Sequence, residues 1–121
     1  MIVLTLEQIE TLVTDVASEC SCITRVGLYG SYARGEQHEN SDVDLLYVCD
    51  NDAPDAERQV EKFMTDVRSA CKGFGIKKVD LLSVDVLYRS RERFRKEVFS
   101  TVRWLYPASK DAGDTCHACT T

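Results

Sequence analysis

The sequence predicts a small domain of the α/β (α+β) class, on three observations. Apolar stripes of helical period alternate with short apolar runs of strand length, in the order helix, strand, turn, strand, helix, strand, helix. A length of 121 residues fits one domain around one hydrophobic core. A hydrophobic fraction of 44%, with six glycines and two prolines, excludes wholesale disorder and low complexity.

Each element has its own signal. The run Thr5-Leu6-Glu7-Gln8 has the form of a capping box, in which Thr5 opens a helix and Gln8 reaches back. Behind it Ile9, Leu12, Val13, Val16 and Cys20 make one apolar stripe, so the helix is expected over residues 6–20. Residues 25–30 (RVGLYG) read as a short strand, and residues 31–36 as a turn into a brief helix stopped by Gly35. Residues 43–48 (VDLLYV) are apolar on both faces beyond Asp44, the mark of a central strand. A polar loop over 50–55 leads to a second helix, with Pro54 in its first turn. Val60, Phe63, Met64, Val67 and Cys71 form its buried stripe, and Gly73 or Gly75 ends it. Residues 76–82 read as a third strand. The last helix is expected over 90–103, with Phe94, Val98, Val102 and Leu105 along one side. From Pro107 the apolar pattern ceases, which sets a domain over 1–107 and a disordered tail over 108–121.

Net charge is −5, unevenly spread. Residues 36–57 hold eight acids and no Lys or Arg, whereas residues 89–103 hold six bases against two acids. The acidic balance argues against direct DNA binding, which needs a surplus of cations to displace counterions. No apolar run approaches the roughly 18–20 residues of a membrane span, and residues 1–4 carry no basic leader. A cytoplasmic protein with no membrane contact is the expectation. In that reducing compartment Cys20, Cys22, Cys49, Cys71, Cys116 and Cys119 are expected as free thiols. Cys116-His117-Ala118-Cys119 is half of a zinc-ribbon spacing without a second pair, and reads as part of a polar tail.

The chemistry concentrates in residues 30–45. Asp42 and Asp44 stand two apart on a predicted strand, so both carboxylates point to one face. Carboxylates held that close repel unless a cation lies between them, and Mg²⁺ favours such oxygen sites completed by substrate phosphate. Gly30-Ser31 ends one strand and opens a turn, where a glycine lets the backbone approach a ligand and amides can face an anion. The Ser31 hydroxyl can reach the same phosphate. Metal carboxylates beside a phosphate cradle describe phosphoryl or nucleotidyl transfer. Asp80 adds an acid inside an apolar strand, costly unless paired or metal-bound; Asp85 is the fallback, placed beyond the strand where it caps the next turn. Ser41 precedes the first of the paired aspartates and orients it or caps the turn. Tyr29 and Tyr47 read as core aromatics, and His38 as a surface residue.

The combined pattern GSYARG-x5-SDVDLL resembles the minimal nucleotidyltransferase group of the DNA polymerase beta-like superfamily, over about residues 5–107. The resemblance implies a small mixed sheet packed against helices. It implies that Gly30 and Ser31, with Arg34 and Ser41 beside them, hold the triphosphate of ATP or another NTP. It further implies that Asp42 and Asp44 hold two Mg²⁺ ions, for which Mn²⁺ can substitute. Asp80 matches the family's third carboxylate, as general base or as a ligand of the catalytic metal. The reaction implied is transfer of NMP, AMP foremost, to an acceptor hydroxyl. The resemblance also implies an antitoxin paired with a HEPN-domain RNase toxin, acting by adenylylating a toxin tyrosine and by forming a complex with it. Arg89, Arg91, Arg93, Arg95 and Lys96 would offer such a partner a basic helix. Two other readings stay open: an antitoxin acting by contact alone, and a small-molecule nucleotidyltransferase whose acceptor pocket is completed in a homo-oligomer or by a partner subunit.

Overall fold

In the computed structural model, which describes residues 5–36 and 42–107, the chain begins with α1 (Leu6–Ala17), β1 (Ile23–Tyr29) and β2 (Val43–Cys49). It continues through α2 (Ala56–Gly73), β3 (Val79–Ser83), α3 (Val84–Tyr88), α4 (Glu92–Thr101) and β4 (Arg103–Tyr106). The capping box forms as expected: the Thr5 amide donates to Gln8 Oε1 at 2.9 Å, and the Gln8 amide donates to Thr5 Oγ1 at 3.1 Å. The helix stops at Ala17, short of residue 20, where the Ser18 hydroxyl donates to the Asp15 carbonyl at 3.0 Å and competes with further helix. Cys20 is nonetheless buried.

The four strands form one mixed sheet in the order β3-β2-β1-β4, so β2 is central as its two apolar faces predict. β1 runs antiparallel to β2 and β4, while β2 and β3 are parallel and joined through α2. Parallel neighbours need such a crossover, and its helix covers one sheet face. Val26, Leu28, Val43, Leu45, Val79 and Leu105 point to that face and pack with Ile9, Val13, Phe63 and Val67 of α1 and α2. Full burial of a side chain such as Phe63 contributes about 1.5–3 kcal/mol, so this cluster dominates the fold's stability.

The opposite face is covered only in part. Leu46, Leu87 and Val98 form a small second core there, with Tyr29, Leu82, Val84, Val102 and Trp104 around it. Gly27 lets β4 lie close: a Cβ there would meet Val102 Cγ2 at 2.5 Å and the Trp104 ring at 3.0 Å. The Arg25 guanidinium lies over the Trp104 ring, 3.8 Å from its centre.

Four expectations need correction. Residues 31–35 are successive turns and not a brief helix, since Gly35 at φ +72° ends the coil after a single turn. Pro54 precedes α2, which starts at Ala56 behind Asp55 in a left-handed conformation. β3 begins at Val79 and not at residue 76, and a short helix, α3, follows it behind the Ser83 cap. The last helix ends at Thr101; Val102 turns extended, and Leu105 belongs to a fourth strand. Cys20, Cys22, Cys49 and Cys71 are free thiols, as expected. Ser41, His38, and the tail with its Cys116 and Cys119 lie outside the described residues.

Candidate active site

The part of the second sheet face left open by α3 and α4 carries the acids. Register places Tyr29 opposite Asp44 across β1 and β2, and Asp44 beside Asp80 across β2 and β3. One row of side chains therefore runs Tyr29, Asp44, Asp80 across three strands. Asp42 sits one pleat before Asp44, on the same side. Gly30 follows Tyr29 directly, at φ +78°, and a Cβ there would collide with Asp44 Oδ2. Glycine is thus required both by the turn and by the carboxylate against it. Tyr32, fully buried, anchors the turn that follows.

These residues border a cleft of about 440 Å³, lined by Gly30, Ser31, Arg34, Asp42 and Asp44 on one side. Tyr29 forms part of its wall, and α4 closes the other side with Phe94, Glu97, Val98 and Thr101. Five of the residues singled out in the sequence thus share one cavity. Asp80 does not line it but stands behind Asp44, and Asp85 is remote in role: its carboxylate accepts from Asn51 Nδ2 at 2.9 Å. Arg34 Nε donates to Glu36 Oε1 at 2.9 Å, so it braces the turn as well as facing the cleft.

Electrostatics follow from this crowding. Burial, a hydrogen bond with Asp80, and the charges of Asp80 and Asp42 push the Asp44 carboxyl up to about 7. Lys78, with Nζ 3.9 Å from Asp42 Oδ2, opposes that rise. Burial and the charges of Asp44 and Asp80 raise the Tyr29 hydroxyl to about 12, which keeps it protonated and able to donate. Tyr29 is therefore a half-buried wall of the cleft and not a plain core aromatic, while Tyr47 is buried against Phe63 as expected.

A model of the nucleotidyltransferase domain matches residues 9–105, nearly the whole described chain. The chain belongs to the nucleotidyltransferase domain family. Over 49 residues it is 45% identical to the protein adenylyltransferase MntA of Thermococcus cleftensis, covering 38% of this chain and 50% of that relative. The match thus spans about half the length of the curated relative. A solved minimal nucleotidyltransferase superposes on this nucleotidyltransferase domain with a TM-score of 0.60 at 25% identity, over 83% of this chain and 95% of the other. A toxin-antitoxin structure with AMP-PNP superposes with a TM-score of 0.58 at 23% identity, over 86% of this chain and 77% of the other, a likeness of fold.

The donor set is compatible with hard divalent cations. Asp42, Asp44 and Asp80 offer oxygen only, without the thiolates or imidazoles that favour zinc. Among the described residues no three His, Cys, Asp or Glu side chains converge as in a formed metal centre. Three like charges side by side repel, and the raised Asp44 carboxyl relieves that repulsion by holding a proton. A divalent cation would replace that proton.

Tyr29, Lys78, Phe94 and Glu97 were not expected at the site. Lys78 and Tyr29 each stand near an expected site residue in sequence, Tyr29 before Gly30 and Lys78 two before Asp80, yet only the fold brings them to the acids, Tyr29 by register with Asp44 and Lys78 by its ion pair with Asp42. Phe94 and Glu97 lie on a helix far along the chain, and no local pattern links them to Gly30.

Proposed function

We propose that this nucleotidyltransferase domain transfers NMP, AMP from ATP foremost, to an acceptor hydroxyl. The observation that carries the reading is the placement of Asp42 and Asp44 in one cleft with the Gly30-Ser31 turn, and of Asp80 in register beside Asp44. Asp42, Asp44 and Asp80 would hold two Mg²⁺ ions, replaceable by Mn²⁺. Such ions, when bound, lower the pKa of an acceptor hydroxyl and neutralise a leaving pyrophosphate.

The chain's own groups do the positioning, on which phosphoryl-group chemistry mainly rests. Gly30 allows the triphosphate to approach the backbone, Ser31 donates its hydroxyl to a phosphate oxygen, and Arg34 adds positive charge. The acceptor oxygen forms a bond to the α-phosphorus as the bond to the β-phosphate bridge breaks. Its proton passes to the carboxylates of Asp42, Asp44 and Asp80, the last in register beside Asp44. Pyrophosphate departs with the electron pair.

For the acceptor, we infer a tyrosine of a HEPN-type toxin, on the partial identity with an adenylyltransferase and the fold shared with a toxin-antitoxin structure. A surface for a partner is available on α3 and α4. Tyr88 and Phe99 are 60% and 39% exposed, with ring centres 5.8 Å apart, amid Arg89, Arg91 and Arg93. Arg95 is committed inward, donating to the carbonyls of Tyr88 and Ser90 at 3.3 and 2.9 Å, so it braces the α3–α4 corner. Lys96 pairs with Glu92 at 3.1 Å.

The test is incubation with ATP, Mg²⁺ and a candidate HEPN-type partner, sought in the reading frame next to this one, read by intact mass. Stepwise addition of AMP to that partner is the expected result. Absence of any mass change, with full neutralisation of the partner's toxicity, would instead establish an antitoxin that works by contact.

A further inference from the structure

Phe94 is the apolar residue that the second core leaves over. It shares a side of α4 with Val98, which is buried against Leu46 and Leu87. One turn earlier Phe94 is 40% exposed among the described residues and stands in the wall of the cleft that holds Asp42 and Asp44. Glu97 lies beside it in the same wall, and its carboxylate makes no ion pair or hydrogen bond among the described residues. The neighbouring Thr101 hydroxyl is already occupied, donating to the carbonyls of Glu97 and Val98 at 3.0 and 3.3 Å.

The cleft is therefore chemically two-ended. The Gly30, Ser31 and Arg34 side suits phosphate. The α4 side cannot, because an unpaired carboxylate repels an anion, while an aromatic face next to a hydrogen-bond acceptor suits a flat heterocycle carrying a donor. We propose that this wall of α4 reads the nucleobase, Phe94 stacking on the ring and Glu97 accepting a hydrogen from its exocyclic amino group. Adenine, guanine and cytosine carry such a group. Uracil presents a single N–H between two carbonyl oxygens, which face Glu97 unfavourably. The site accordingly selects against UTP. This inference rests on the nucleotidyl-transfer reading and goes beyond it by naming the residues that choose the base.

The experiment is calorimetric titration of the full chain with ATP, UTP and inorganic tripolyphosphate, each with Mg²⁺, after melting curves have shown every variant folded. Tripolyphosphate has no base, so it reports on the phosphate end alone. Phe94→Ala should weaken ATP about tenfold, the scale of a lost base–aromatic stack, and leave tripolyphosphate unchanged. Phe94→Trp should keep ATP affinity. Glu97→Gln, whose amide offers uracil a donor as well as an acceptor, should bring the ATP:UTP preference towards parity. Unchanged ATP affinity in Phe94→Ala, an equal loss for tripolyphosphate, or an unchanged base preference in Glu97→Gln would each overturn the proposal. A Glu97→Gln variant that instead loses discrimination between ATP and dATP would assign Glu97 to the ribose, and would overturn it too. Wild-type protein that binds neither ATP nor tripolyphosphate would defeat the nucleotidyl-transfer reading itself, and this one with it.

Discussion

Gly30 and Asp44 constrain each other, and substitutions at either should show it. A side chain at Gly30 would be forced into a left-handed backbone, costing about 1–2 kcal/mol, and would also meet the Asp44 carboxylate. Gly35 has a similar φ of +72° but open space around it. Gly30→Ala should therefore lower stability clearly more than Gly35→Ala, measured by urea unfolding of the two variants side by side. Asp44 carries a pH signature. Its carboxyl titrates near 7 in the folded chain against 3.8 ordinarily, so between those values the folded state holds the extra proton. Stability from this group is fullest below pH 4 and is lost as pH rises through 7. Melting temperature without metal should fall across that window, and Asp44→Asn should flatten the fall. Mg²⁺ should raise the melting temperature more at pH 8 than at pH 5, because it competes with the same proton. Asp42→Asn with Asp44→Asn should abolish AMP transfer while leaving the chain folded, and partner mass spectra would show it. At this scale the Gly-Ser and Asp-x-Asp residues were legible because their spacing is local. Asp80 was marked by its cost inside an apolar strand, but its place beside Asp44 was not legible, since only strand register brings the two together.

Among the elements, β4 and α4 show where periodicity misleads. Val98, Val102 and Leu105 continue a helical spacing without interruption, yet Val102 is extended at ψ 138° and Leu105 is a strand residue. The spacing persists by coincidence, because Leu105 is buried against α1 on the opposite face of the sheet from Val98. The strand also depends on Gly27, whose missing side chain makes room for Trp104; no signal within residues 101–106 records that. The α3 helix escaped for another reason: five residues cannot display a helical period. The stripes of α1 and α2 were legible because each runs for three turns or more against one core. Gly27→Val should thus damage this edge of the sheet specifically. Its expected mark is a loss of about 2 kcal/mol or more in unfolding free energy, with overpacking as the cause, and a disturbed tryptophan emission spectrum, since Trp104 is the chain's single tryptophan.

Across the whole molecule, the division of labour between the two sheet faces explains how so short a chain can be both stable and open. One face is sealed by α1 and α2, and the larger core lies there. The other is half covered, and its uncovered half holds the acids. A chain ending at residue 107 should melt within a few degrees of the full chain, as the apolar periodicity of the sequence ceases there. One ending at residue 101 loses β4 and should melt at a much lower temperature, as calorimetry of the two truncations would show.

The sheet order β3-β2-β1-β4 also sets a timetable. Strand β1 is made early but waits for its outer neighbour until residues 103–106 are synthesised. The paired aspartates, Asp80 and the Gly30 turn are all translated well before α4, the far wall of their cleft. Contacts between distant parts of a chain form slowly and only when both parts exist. A ribosome-bound chain therefore carries all three aspartates of the site while lacking the wall that faces them, and the cleft becomes whole only once α4 has been made.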